Sequence, residues 1–318
     1  MVLEEQILLY YLRITSFLII LFLIYSSYLL FFKEIKLTNN NFEIEKNQSI
    51  KSIIKLNINN LNIIESFISE IFLSINSKYI KNVHYGKFIF PDKVNLKQFI
   101  TIISKPSNFI LKLTIVEGWN KTELSKLLKS LFLEFRDIKY EDILADTYYF
   151  HSYETFDLFY EKLQNQKKQI RKKYENHDLH KKYTFEELLI IGSLLEKEGK
   201  DNFDKKLIFS VIKNRLRKNM KLQIDATTIY AITDGKYDLN RDLRLKDLKI
   251  IHPYNTYYIK GLPPAPISYV GKKTMELIYE NYTSNYLYYF YNNIEKKHIY
   301  SETYDDHRRK LSEYRSKK

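Results

Sequence analysis

The chain has 318 residues, room for one catalytic domain and a smaller module, and its 45% hydrophobic content permits a sizeable core. It has no cysteine, which excludes a disulfide framework and thiolate metal sites. A formal net charge of +13, spread along the chain, narrows the partners to nucleic acid, an anionic membrane surface, or an anionic polymer such as a cell-wall glycan with acidic peptide stems.

The first element decides much. Ile14 to Phe32 carries no charge and is almost wholly apolar, near the ~20 residues a helix needs to cross hydrocarbon. Arg13 precedes it and Lys33 and Lys36 follow, so flanking charge barely sets an orientation. No small-x-small site follows, and the run is long for a signal-peptide core, so it reads as a single-pass anchor behind a short head, residues 1–13. Residues 33–41 are polar towards their end and read as a linker.

From 42 to 116 short strands and helices mix. Phe42-Glu43-Ile44 alternates, Ser49 is placed to cap a helix, and a second helix is expected from Ile63 to about Ile75. Phe88-Ile89-Phe90 reads as a strand stopped by Pro91, Leu96 to Ser104 as a helix, and Ile110 to Val116 as a strand. The pattern predicts a small α+β module. Residues 117–182 then read as a linking helical region, with a helix from Lys121 to Leu131 and a charged one ending near Lys173. The basic run from Lys167 to Lys173 fits a solvated helix face better than a ligand site.

The stretch from 183 onward concentrates chemistry. Thr184 and Glu187 form a capping box, Leu188, Leu189, Ile191, Leu194 and Leu195 continue a helix, and Gly199 stops it. Near its end stand Glu196 and Glu198, which point about 200° apart on a helix. Glu198 shares the face of Ile191, Leu194 and Leu195. A carboxyl over such a stripe loses hydration, its pKa rises, and it can act as a general acid near neutrality. Asn202 is expected to cap a second helix and Asp225 a third.

Four of the six prolines fall between Pro253 and Pro266, making a rigid wall beside Tyr254, Asn255 and Tyr257. Those side chains suit sugar rings, though core packing explains them equally well. The sole Trp, Trp119, fits packing better than a sugar platform. A helix from Lys272 to Asn281, a hairpin of Leu287–Tyr291 with His298–Tyr300, and a terminal helix holding His307 complete the chain. Both histidines fit structural roles.

Several ordered blocks together resemble a family. They are Glu196-Lys197-Glu198, Asn214-Arg215-Leu216, Leu222-Gln223 with Asp225 and Thr227, Ile229-Tyr230, Tyr254-Asn255-Thr256-Tyr257, and Gly261-Leu262-Pro263-Pro264 with Pro266-Ile267. Glu117-Gly118-Trp119 and Asp146 to Phe150 match as well. This set resembles the YceG-like, membrane-bound endolytic murein transglycosylases of the MltG type. The resemblance implies an α+β chain: a transmembrane helix, a LysM-like module at 42–116, and a mixed α/β catalytic domain at 117–318 with its core at 183–318. It implies Glu198 as the catalytic acid, with Glu196, Gln223, Asp225, Tyr254, Asn255 and Tyr257 as positioning or substrate-binding residues.

It also implies cleavage of the MurNAc-β-1,4-GlcNAc bond of peptidoglycan to 1,6-anhydro ends, on the outer side of the cytoplasmic membrane. Peptidoglycan strands and the membrane are the implied partners, with cell-wall synthases left open. Nucleic acid has no motif behind it. No metal cluster, phosphate loop or nucleophile elbow is present, so no metal and no cofactor is expected. Three departures from the family pattern, Gly199, Ala226 and Val270, leave Glu198 untouched. A non-enzymatic membrane-anchored glycan scaffold is the alternative.

Overall fold

The structure, a computed structural model, describes residues 2–79 and 81–317. The chain divides into two compact units, Met1–Leu111 with Tyr149–Glu154, and Lys112–Tyr148 with Thr155–Lys318.

The first unit begins with helix α1 (Val2–Phe31), whose stretch Gln6–Phe31 has mean hydropathy 2.3 and is long and apolar enough to cross a membrane. Its side chains from Gln6 to Ile24 are exposed, whereas Ser26 and Leu29 are buried. The residues expected as a linker instead fold into the unit. Strand β1 (Glu34–Ile35) pairs antiparallel with β4 (Val94–Asn95), burying Ile35 beneath a sequence too polar to suggest a strand.

Strand β2 (Asn41–Ile44) pairs with β3 (Gly86–Ile89), placing Phe42 opposite Phe88. Helix α2 (Ile50–Asn57) is capped by Ser49, which accepts the Ser52 N–H at 3.2 Å. Helices α3 (Ile63–Tyr79) and α4 (Leu96–Ile103) follow, the latter with an Asn95–Gln98 capping box. Ile44, Ile53, Ile54, Phe88, Phe99 and Leu29 share one core, and Phe90 stacks between Phe42 and Phe99, with centroids 4.9 and 5.3 Å away.

Strands β5 (Ile110–Thr114) and β6 (Thr147–His151) pair, with α5 (Lys121–Leu131) between them and α6 (Phe156–Lys173) after them. The second unit is built around α7 (Phe185–Glu198), whose Thr184–Glu187 capping box forms as expected. Everything from Leu188 to Leu195 is buried, because α8 (Asn202–Arg217), α9 (Asp225–Thr233) and α10 (Lys272–Tyr279) all pack on this helix. A hairpin of β7 (Tyr288–Asn292) and β8 (Lys297–Ser301) and helix α11 (Tyr304–Ser316) close the unit.

Two expected caps move. Asp201, not Asn202, caps α8, accepting the Asp204 N–H at 2.9 Å from an extended backbone one residue upstream. Asp225 is the first residue inside α9 and caps nothing there; Ile224 holds the cap position without a side-chain bond. Gly199 stops α7 without the left-handed backbone usual for such glycines. Its φ is −74°, and a Cβ there would lie 2.3 Å from Lys205 Cγ, so the residue is small to admit α8.

Gly192 serves a similar purpose. A Cβ at this position would sit 2.7 Å from Val270 Cγ1. Gly192→Ala is therefore expected to lower the unfolding free energy by about 1–3 kcal/mol through overpacking. Adding Val270→Ala should recover part of the loss, as urea titration of both variants would show; no recovery would contradict the packing account.

Candidate active site

The end of α7 carries the two carboxylates, and the fold separates them. Glu196 turns inward. Its side chain is 2% exposed, forms an ion pair with the Lys205 ammonium from α8, and accepts the Gly271 N–H at 2.9 Å. Lys205 also donates to the Thr274 hydroxyl. Gly118, whose φ of +80° suits glycine, passes close to the Glu196 backbone, which accounts for the Glu117-Gly118-Trp119 block. Glu196 thus binds α7, α8 and the start of α10 together, and its acceptor oxygens are engaged.

Glu198 is half-buried and faces another way. Burial raises its carboxyl pKa above the usual range, and the negative charge of Asp225 raises it further. His298, the Tyr289 hydroxyl and the Ala226 N–H at the start of α9 pull in the opposite direction without cancelling the rise. Tyr289 donates to Glu198 Oε2 at 3.3 Å. The group therefore holds a proton more readily than a solvated glutamate, yet hydrogen-bond donors stand ready for its ionised form.

Asp225 is exposed, and its Oδ1 accepts the Tyr257 hydroxyl at 2.6 Å. Burial and the Asp225 carboxylate push the Tyr257 pKa up, so Tyr257 stays a neutral donor. Gln223 is exposed on the loop before α9, with its backbone in the left-handed region at φ +52°. Arg215 holds that loop. Its guanidinium donates to the carbonyls of Lys221 and Leu222 at 3.3 and 2.7 Å, and to that of Leu287 at 2.7 Å, tying the loop to the hairpin. Asn214 donates to Ser284 and Tyr286 on the same side. The Asn214-Arg215-Leu216 block is thus a clamp that sets the hairpin against α8.

The structure brings Glu198, Asp225 and Tyr257 into mutual electrostatic reach, while the Gln223 side-chain oxygen accepts from Arg215 at 3.5 Å. It does not bring all the expected residues there. Asn255, expected as a sugar contact, is 0% exposed; its amide donates to the Leu248 and Ile250 carbonyls and its oxygen accepts from Thr228 and the Tyr257 N–H. It has no surface to offer a ligand and fixes the loop that carries Tyr257. Tyr254 packs its ring on Tyr230, with centroids 4.6 Å apart.

Four contributors, all on the hairpin, were not foreseen in their roles. Tyr289, Tyr291, His298 and Tyr300 share one face of the hairpin through the pairs Tyr289↔Tyr300 and Tyr291↔His298. On that face His298 Nδ1 lies 2.8 Å from Asp204 Oδ2, and the Tyr300 hydroxyl donates to Asp204 Oδ1 at 2.6 Å. Burial would raise the Asp204 pKa, but the His298 and Tyr300 bonds outweigh it and hold the carboxyl low. The His298 ring stands edge-on to Tyr289 at 5.2 Å. Period-two alternation along the hairpin could have grouped these residues; nothing in it pointed to α8.

A likeness across nearly the whole chain decides the family. Residues 42–313 match the model of the YceG-like family. The chain belongs to that family. Among curated proteins, the YceG-like chain is similar to an endolytic murein transglycosylase of Bacillus subtilis (strain 168), at 35% identity over 146 residues, 46% of this chain and 39% of that protein. It is also similar to an endolytic murein transglycosylase of Streptococcus pneumoniae serotype 2, at 36% identity over 137 residues, 42% of this chain and 24% of the relative. The match thus spans well under half of either relative's length. A crystal structure of a yceG-like protein from Listeria monocytogenes has a TM-score of 0.50 at 24% identity, covering 85% of this chain and 98% of that one, a likeness of fold.

Proposed function

We propose that this YceG-like chain is a membrane-anchored endolytic murein transglycosylase that uses Glu198 as its single acid and base. The observation that carries the reading is the environment of Glu198: partly open to solvent, raised in pKa by burial and by Asp225, and faced by donors that favour its ionised form. Hydrolysing glycosidases need a second carboxylate as nucleophile or base. Here the neighbouring carboxylate, Asp225, is held by Tyr257, and Glu196 is buried in its ion pair.

In the proposed reaction, protonated Glu198 donates to the oxygen linking MurNAc C1 to GlcNAc as the C1–O bond breaks. The cation-like C1 is stabilised by the sugar's own N-acetyl group. Tyr289 and the Ala226 N–H stabilise the carboxylate that results. Glu198 then takes the proton of the MurNAc C6 hydroxyl, whose oxygen bonds to C1 and closes the 1,6-anhydro ring. The proton given up is regained and no water is consumed. Gln223 and Tyr257 are proposed to position sugars, and the first unit to serve as a LysM-like glycan-binding module. The anchor is α1, with the catalytic part on the outer side.

Digesting peptidoglycan in ¹⁸O-enriched water separates this chemistry from hydrolysis. Internal closure predicts new MurNAc ends without label. One ¹⁸O per new end would make the enzyme a hydrolase, and no cleavage at all would favour a glycan-binding scaffold.

The Asp225 charge gives a second handle. Because it raises the Glu198 pKa, Asp225→Asn should lower that pKa and ionise the acid earlier. The alkaline limb of kcat/KM against pH is expected to move to lower pH, while the asparagine oxygen still accepts from Tyr257. An unmoved limb would assign it to some other group.

A further inference from the structure

Helix α3 is built inside out for a protein surface in water. Of the residues it exposes, Ile63, Ile64, Phe67, Ile71, Ile75 and Tyr79 are apolar or aromatic, with Ile63 90% and Phe67 61% exposed. Only Ser74 and Lys78 interrupt them. At 100° per residue these positions fall on one side of the helix, while the opposite, buried side carries Glu65, Ser69 and Leu73. A contiguous apolar face of this kind marks a surface that something covers.

The position of α3 beside α1 identifies the cover. Tyr25 of α1 donates to Glu65 Oε1 at 2.7 Å, and Lys33, just past the end of α1, pairs with the same oxygen at 2.6 Å. Ser26 and Leu29 of α1 are buried in this unit. The unit therefore grips the last two turns of the helix, within the apolar run Ile14 to Phe32, and α3 starts at the depth of Tyr25. A helix docked at that level cannot begin far above the boundary between headgroups and hydrocarbon. At its other end, Lys78 sits 5.2 Å over the Tyr79 ring, and Lys81 follows, residues suited to an anionic, amphipathic interface.

We propose that the apolar face of α3 rests in the headgroup–acyl boundary of the bilayer that α1 crosses, giving the first unit a second, peripheral membrane contact. The inference depends on the reading of α1 as the span. It makes the unit membrane-seated from its first helical turns onward, not tethered at a distance, since β1 and Lys33 leave no free linker between α1 and the fold.

The absence of cysteine makes the test direct. The full chain carries one introduced cysteine, labelled with an environment-sensitive fluorophore, in liposomes of phosphatidylglycerol and phosphatidylethanolamine. Separate variants place it at Phe22, Phe67, Ile71 and Lys46, an exposed charged position after β2. Labels at Phe67→Cys and Ile71→Cys should shift to the blue and lose most of their emission to lipids brominated near the headgroup. They should also resist iodide in water, and Lys46→Cys should do the reverse. If Phe22→Cys contacts lipid while the α3 labels are quenched by iodide as Lys46→Cys is, the inference is wrong and the anchor stands. If Phe22→Cys also meets only water, the anchor reading fails with it. Protection of the α3 labels from both iodide and brominated lipid would mean that protein covers the face, which also overturns the proposal.

Discussion

Glu198→Gln is expected to cut glycan cleavage by roughly 10²–10⁴-fold, the contribution of general acid–base catalysis, because the amide keeps the shape and removes the transferable proton. The loss should fall on kcat, since Gln223, Tyr257 and the loop held by Arg215 remain in place. The same variant should be more stable than the wild type at neutral pH. A carboxyl whose pKa is raised by burial destabilises the folded state once it ionises, so the wild type loses stability as pH climbs from the unfolded value of about 4.3 through the raised folded value. Glu198→Gln has no such charge. The gap in Tm between the two should widen with pH across that window and close below it. Thermal melts at a series of pH values would reveal it, and a gap that widens toward acid would contradict the assignment.

The largest effect on stability is expected at the other carboxylate. Lys205→Met removes the cation facing Glu196 and leaves a carboxylate that is 2% exposed with one backbone donor, the Gly271 N–H. Breaking a buried pair on one side destabilises by about 3–5 kcal/mol, because the remaining charge stays desolvated. Urea unfolding of Lys205→Met should show a loss of that order. Glu196→Gln should lose less, since the amide oxygen still accepts from Gly271 and Lys205 still donates to Thr274. Equal, small losses in both would mean that the pair is not a structural joint.

The contrast between these two glutamates shows what the sequence could convey. Helical spacing was enough to point Glu196 and Glu198 in different directions, but the groups that face Glu198 in the fold, Asp225, Ala226, Tyr289 and His298, come from α9 and the hairpin. The Thr184–Glu187 and Ser49 caps were equally legible, because a cap is a local bond between residues three apart. The partners were not. Lys205 reaches Glu196 only because α8 folds back along α7, and Arg215 reaches Leu287 across 72 positions. Tyr289 meets Glu198 from a hairpin 91 residues downstream. Asn255 misled for a related reason: an amide beside tyrosines looks the same in sequence whether it faces sugar or is sealed among backbone carbonyls. The apolar face of α3 was visible as isoleucines at helical spacing, but spacing alone marks such a stripe as core, and only its exposure reveals otherwise.

The most direct test of Glu198 as the sole acid and base compares purified wild type, Glu198→Gln and Glu196→Gln in membranes. Each digests the same peptidoglycan, and anhydro-ended fragments are counted by mass spectrometry at a temperature where all three are folded. Glu198 as the acid predicts abundant anhydro ends from the wild type, far fewer from Glu198→Gln, and a lesser reduction from Glu196→Gln. Anhydro ends released by Glu198→Gln at the wild-type rate would contradict it.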